Sequence, residues 1–171
     1  MKTDYFNIVD EILNIGYNTG DKILHFGACD KNQNFLENIV KNNMKIFYLG
    51  IDISDDIVDL VEKYQEYPTY AFQKTTMQDF IDDKYHAFHY CLITGIFDKP
   101  TYEDKQYIFI STVVHKCLEF SKNVIFTMDA EKYSKNYNFS ILYVINNLIN
   151  SYSKVTIKKI DNSKYIFCIT S

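Results

Sequence analysis

The chain has 171 residues, 47% of them hydrophobic and 23% charged, with a formal net charge of −4. That length suits one domain spanning residues 1–171, and the apolar share supports a substantial core and argues against a disordered chain. No basic face for gripping duplex nucleic acid is evident, so strong nucleic-acid binding is not expected. No apolar run approaches the length that spans a bilayer, so no membrane association is expected either.

In chain order, residues 6–15 place Phe6, Val9, Ile12 and Leu13 on one helical face, ended by Gly16 and Gly20. Residues 22–27 (KILHFG) read as a first strand, and Phe35, Leu36, Ile39 and Val40 mark a helix. Residues 45–53 (KIFYLGIDI) read as a second strand. Ser54 is placed to cap the next helix, with Asp55 and Asp56 in its first turn and Ile57, Leu60, Val61 and Tyr64 as its apolar stripe. Pro68 breaks the pattern, residues 69–73 form a short third strand and residues 77–81 a short helix. Residues 87–93 (AFHYCLI) are apolar enough for a central fourth strand.

Thr101 and Asp104 resemble a capping box opening a helix that runs to Phe120, with Tyr107, Ile110, Val114 and Cys117 facing inward. Residues 124–128 are a fifth strand. Ile141, Leu142, Ile145, Leu148 and Ile149 mark a further helix. Residues 155–160 and 165–169, joined by Asp161-Asn162-Ser163, read as an antiparallel hairpin. Alternation of short apolar runs with helix-period segments predicts an α/β sandwich with a mostly parallel sheet.

The cysteines, Cys29, Cys91, Cys117 and Cys168, contain no Cys-x-x-Cys pair. Neither a zinc signature nor a disulfide scaffold follows, and reduced thiols in a cytoplasmic setting are the simplest reading. Residues 1–4 begin no apolar signal core. Abundant Asn, Lys, Ile and Tyr point to an AT-rich genome such as that of a virus or phage, in which case the setting is host cytoplasm.

The order of elements, and the phrases KILHFGACDKNQNFL, IFYLGIDIS, KYHAFHYCLITGIFD and YIFCIT, resemble the class I S-adenosylmethionine (SAM)-dependent methyltransferases along essentially the whole chain. The resemblance implies a seven-stranded sheet in the order 3-2-1-4-5-7-6, with the last-numbered strand antiparallel, and SAM as cofactor. The family's first motif is Asp/Glu-x-Gly-x-Gly-x-Gly. Here His25 stands for the acid, Gly27 for the first glycine, Cys29 for the second and Lys31 for the third. Asp52, ending the second strand, is implied to accept both ribose hydroxyls, with Ile53 on the adenine face; a helix-capping or solvated acid is the plain alternative. Thr76 is implied by the same resemblance as a hydroxyl partner for the adenine amino group, with Met77 over the adenine edge or in the core. The resemblance further implies that Thr94 and Gly95 approach the methionine part and that Phe97 and Asp98 face an acceptor.

Methyl transfer from a sulfonium needs mainly positioning and desolvation, and a base only when the acceptor must lose a proton. Asp98 is the one group nominated as such a base, a surface acid being its alternative. There is no Asn/Asp-Pro-Pro-Tyr, no convincing Lys-Asp-Lys-Glu set and no Pro-Cys pair, so the acceptor is not named by the sequence. His86, His89 and His115 do not converge with a carboxylate at metal-ligand spacing, and no metal is expected. Cys91 and Cys168 read as small core residues. Tyr133, Tyr137 and Phe139 could line a substrate entrance or an interface with a partner chain or a second copy. The rival reading is a methyltransferase-like binding or scaffold module without activity. A nicotinamide-dependent Rossmann enzyme and a flavodoxin-like receiver are disfavoured by the terminal hairpin.

Overall fold

Strands that are apolar on both faces must satisfy their backbone groups within a sheet, and here they do so side by side. The computed structural model describes residues 5–29, 35–82, 87–98, 106–131 and 141–171. The strands are β1 (Lys22–Phe26), β2 (Phe47–Asp52), β3 (Tyr70–Lys74), β4 (Phe88–Ile93), β5 (Ser121–Asp129), β6 (Val155–Lys159) and β7 (Lys164–Thr170). They form one seven-stranded sheet in the order β3-β2-β1-β4-β5-β7-β6. Strands β1 to β5 pair in parallel, and β7 runs antiparallel to both β5 and β6. Both the expected order and the expected direction of each strand are found.

Helices cover the two faces. On one, α1 (Tyr5–Ile15), α2 (Phe35–Lys41) and α3 (Ile57–Lys63) bury Ile8, Ile12, Phe35 and Ile39 against Ile23, Tyr48, Tyr90 and Leu92. On the other, α4 (Met77–Asp82), α5 (Gln106–Phe120) and α6 (Ile141–Ser151) bury Ile81, Ile110, Val114 and Leu148 against Leu24, Phe26, Ile93 and Phe126. Successive strand residues thus feed opposite cores, as Ile23 and Leu24 do. The architecture is a three-layer α/β sandwich. Among the described residues no helix is long and apolar enough to cross a membrane.

Several local expectations are corrected. Helix α1 buries Ile8, Val9 and Ile12, while Leu13 is 43% exposed. The helix is turned so that Glu11, only 4% exposed, ion-pairs with Lys158 of β6. Ser54 does not cap α3: its hydroxyl accepts the Asp56 N–H in a preceding turn, and the helix begins at Ile57 behind an Asp56 that makes no side-chain cap. Strand β5 starts three residues earlier than expected, at Ser121. Its first turn of polar residues hid it, because Ser121 donates to the Cys117 carbonyl and Asn123 donates to the His89 carbonyl and accepts from Thr170. Tyr107 is half-buried and meets Tyr143 edge-on. The Thr101/Asp104 box lies outside the described residues.

The terminal hairpin closes as an Asx turn. Asp161 accepts the N–H groups of Ser163 and Lys164, each at 2.9 Å, which holds its carboxyl below the usual range. In the α4–α6 core, Phe126 stacks on Phe167 at 4.7 Å and meets Phe97 edge-on at 5.2 Å. Because β5 and β7 both hang on this contact, Phe126→Ala should lower unfolding free energy by about 3–5 kcal/mol in urea titration. A loss under about 1 kcal/mol would show that the ring stack does not tie the hairpin to the parallel strands.

Candidate functional site

In the parallel part of the sheet all carboxyl ends share one edge, and β1 lies where the strand order reverses, between β2 and β4. Open α/β sheets bind ligands outside that reversal. The residues there are the turn after β1 (Gly27–Cys29), Asp52 and Ile53 after β2, Thr75 to Met77 after β3, and Thr94 to Asp98 after β4.

The turn after β1 is drawn against β2 and β4. Gly27 and Ala28 donate N–H bonds to the Ile51 carbonyl at 3.0 and 3.2 Å. Gly27 has φ 82° and Gly95 φ 68°, left-handed values that suit glycine. A Cβ at Gly27 would come within 2.1 Å of the Thr94 carbonyl oxygen. Asn43 is the sole non-glycine with positive φ among the described residues, so Cys29 sits in the motif's second position without a left-handed backbone. Lys31 lies outside the described residues.

Asp52 is half-buried and fixed by backbone donors. The Cys29 N–H reaches its Oδ2 and the Ser54 N–H its Oδ1, each at 2.9 Å. A carboxylate offers about four acceptor directions, so the two backbone donors and the Cys29 thiol leave room for a further donor. Ile53 beside it is 67% exposed, a large apolar side chain on the open edge. Burial, then Asp52 and Asp56, push the Cys29 thiol up to about 12. Lys74 pairs with Asp55 and holds that carboxyl low.

Thr76 caps α4: it accepts the Asp79 N–H at 3.0 Å and donates to the Asp79 carboxylate at 2.7 Å. Met77 is half-buried against the α4–α6 core. Phe97 does not face an acceptor; it is fully buried against Phe109 and Phe126. Asp98 is half-buried, and its Oδ1 accepts the Asp129 N–H at 2.9 Å. Asp129, 8% exposed at the tip of β5, lies one residue beyond the apolar run 124–128 that marks this strand in the sequence, which is why pattern alone does not single it out.

His25 is 1% exposed, with Nδ1 2.8 Å from the Tyr48 hydroxyl and Nε2 2.8 Å from the Thr94 hydroxyl. Thr94, also 1% exposed, donates to the Gly27 carbonyl at 3.3 Å. Tyr48 escaped the sequence reading: it is 23 positions from His25, and only strand register joins them. Among the described residues no group of three His, Cys, Asp or Glu could hold a metal ion. His89 and His115 lie apart on β4 and α5. His86, Tyr133, Tyr137 and Phe139 are outside the described residues.

The sheet order, the hairpin and the glycine turn define the fold of the class I SAM-dependent methyltransferases. Monomeric WbdD superposes with a TM-score of 0.68 at 11% identity over 97% of this chain, which spans 40% of WbdD's length. An rRNA methylase from Streptococcus thermophilus matches at 0.65 and 7% identity, covering 100% of this chain and 98% of that one. The Streptococcus mutans protein SMU.1697c, solved in complex with SAH, matches at 0.64 and 10% identity, covering 99% of each chain. No protein-family model and no curated protein matches the sequence.

Two predictions concern the turn. Gly27→Ala should destabilise by more than about 1 kcal/mol in thermal melts, since the methyl meets backbone and φ is left-handed; an unchanged melt would mean the turn relaxes freely. With its thiol pushed up to about 12, Cys29 should react with iodoacetamide at pH 8 at least about tenfold more slowly than free cysteine. Asp52→Asn should speed it. Labelling at the free-cysteine rate, read by mass spectrometry, would refute that environment.

Proposed function

We propose that the chain is a SAM-dependent methyltransferase. The observation that carries this reading is the Asp52 carboxylate, held at the β2 tip by two backbone N–H groups with Ile53 exposed beside it. An acid so placed suits a ribose diol, and an aliphatic neighbour suits an adenine face. Gly27 and Gly95, both left-handed, leave the β1 and β4 tips without side chains where a methionine moiety would pass. The likeness to a structure solved with SAH supports the same ligand class.

In this reading Asp52 and Ile53 hold the adenosine, and Gly27, Cys29 and Gly95 line the rest, while Thr94, 1% exposed, supports the turn from beneath rather than meeting ligand. Thr76 and Met77 stand at the adenine end. SAM supplies an activated methyl group, so the chain's own part is to orient it and exclude water. Asp98, on the acceptor side and fixed by the Asp129 N–H, is the base where the acceptor must lose a proton. The acceptor itself is any nucleophile that fits the edge beyond Gly95, brought alone or with a partner chain.

A second reading is a methyltransferase-like scaffold without activity. Cys29 favours it, since its side chain occupies a position the motif leaves bare. Calorimetry with SAM and SAH separates the two. Heat on SAH addition that Asp52→Ala abolishes is the expected result. No heat and no thermal shift at about millimolar ligand, a concentration that would reveal even weak sites, would overturn the methyltransferase reading and favour the scaffold.

A further inference from the structure

The Thr94 hydroxyl carries one proton and has two acceptors in reach, the Gly27 carbonyl at 3.3 Å and His25 Nε2 at 2.8 Å. With the proton directed at the carbonyl, a neutral imidazole donates from Nε2 to Thr94 and accepts at Nδ1 from the Tyr48 hydroxyl; with it directed at Nε2, the imidazole is the Nδ1–H form. The first order links all four groups, running Tyr48 to His25 to Thr94 to Gly27. It crosses three adjacent strands, β2, β1 and β4, beneath their carboxyl ends. Every side chain in it is at most 3% exposed. Water cannot easily substitute for a missing member there, and successive bonds polarise one another.

The turn that receives this relay is the turn that holds Asp52. Gly27 takes the Thr94 bond on its carbonyl, and two residues on, the Cys29 N–H donates to Asp52 Oδ2. We propose that His25 is a positioning residue: through Thr94 and the Gly27–Cys29 turn it sets the orientation of the Asp52 carboxylate, without touching ligand itself. The inference rests on the reading that Asp52 serves a SAM or SAH site. It assigns a role to the residue that stands where the family motif has an acid. It also draws Tyr48, remote from the strand tips, into the control of that site.

The test uses the full chain, ligand-free and with SAH. In wild type, His25 nitrogen shifts should report the neutral Nε2–H form. Tyr48→Phe removes the donor to Nδ1 and should mix the tautomers. Both Tyr48→Phe and Thr94→Val should speed hydrogen exchange of the Cys29 amide about tenfold, the scale of one buried hydrogen bond, while Thr94→Ser keeps the hydroxyl and should restore it. Tyr48→Phe should also weaken SAH several-fold, and add nothing in an Asp52→Asn background, as expected for residues acting in one unit. A generally loosened core would instead weaken SAH in both backgrounds. Unchanged Cys29 exchange in both variants, or an Nδ1–H or doubly protonated His25 in wild type, overturns the relay. If wild type gives no SAH heat, the proposed cofactor fails, and the exchange and tautomer data still decide the relay. Should Thr94→Val not fold, the wild-type tautomer and Tyr48→Phe suffice.

Discussion

The approach of Gly27 to the Thr94 carbonyl is the constraint on which the open edge of the sheet depends. A Cβ there would sit 2.1 Å from the carbonyl oxygen, so the β1 tip can lie this close to the β4 tip only with glycine. The closeness follows from pairing: β1 and β4 are parallel neighbours, and the Thr94 N–H continues the ladder to Phe26. From Gly27 the chain turns at once toward β2, giving two N–H groups to Ile51 and a third to Asp52. One missing side chain therefore decides where the candidate ribose acid stands.

Beneath that turn the protein accepts a buried polar chain where an all-apolar layer would be simpler. An imidazole, a phenol and a secondary hydroxyl would each be costly to bury unpaired, on the order of 1–3 kcal/mol apiece. Paired with one another they become nearly neutral in stability and specific in geometry. Phe35 closes the imidazole from the helix side, edge-on at 5.5 Å, so its place is fixed by packing as well as bonding. The α1–α3 core elsewhere is mostly apolar, Glu11 and Asn38 aside, and tolerates small shifts more readily; this corner cannot shift without losing a partner.

Much of the fold was legible because the strands announce themselves as apolar runs and the helices as stripes. Strand order followed from the resemblance, and the closing hairpin from a short polar turn. What was not legible has physical causes. Leu13 and Ile8 fit the helical period about equally, and Glu11 pairing with a lysine 147 positions away decided the rotation. Ser54 carries the right side chain for a cap, but its bond to Asp56 spends that side chain on a turn. Phe97 follows the fourth strand as a pocket residue would, yet two neighbouring phenylalanines, Phe109 and Phe126, offered it a core. At the site, Asp52 was readable from the phrase that ends β2, because an acid at a strand tip is local information. The His25 partners were not, since Tyr48 and Thr94 are 23 and 69 positions away and meet only through register.

The motif's shrinkage from three glycines toward one can be understood residue by residue. Gly27 needs both a left-handed backbone and room at the Thr94 carbonyl, and no other residue type meets both conditions. Cys29 needs neither: its backbone is ordinary, and its one demand is an N–H aimed at Asp52, which any residue but proline supplies. What Cys29 adds is a thiol beside a carboxylate, and burial with that negative neighbour keeps it protonated. A neutral, half-buried thiol is a small apolar group in effect. Cysteine at this position leaves the acid and its two backbone donors in place, so the turn keeps its geometry without a second glycine.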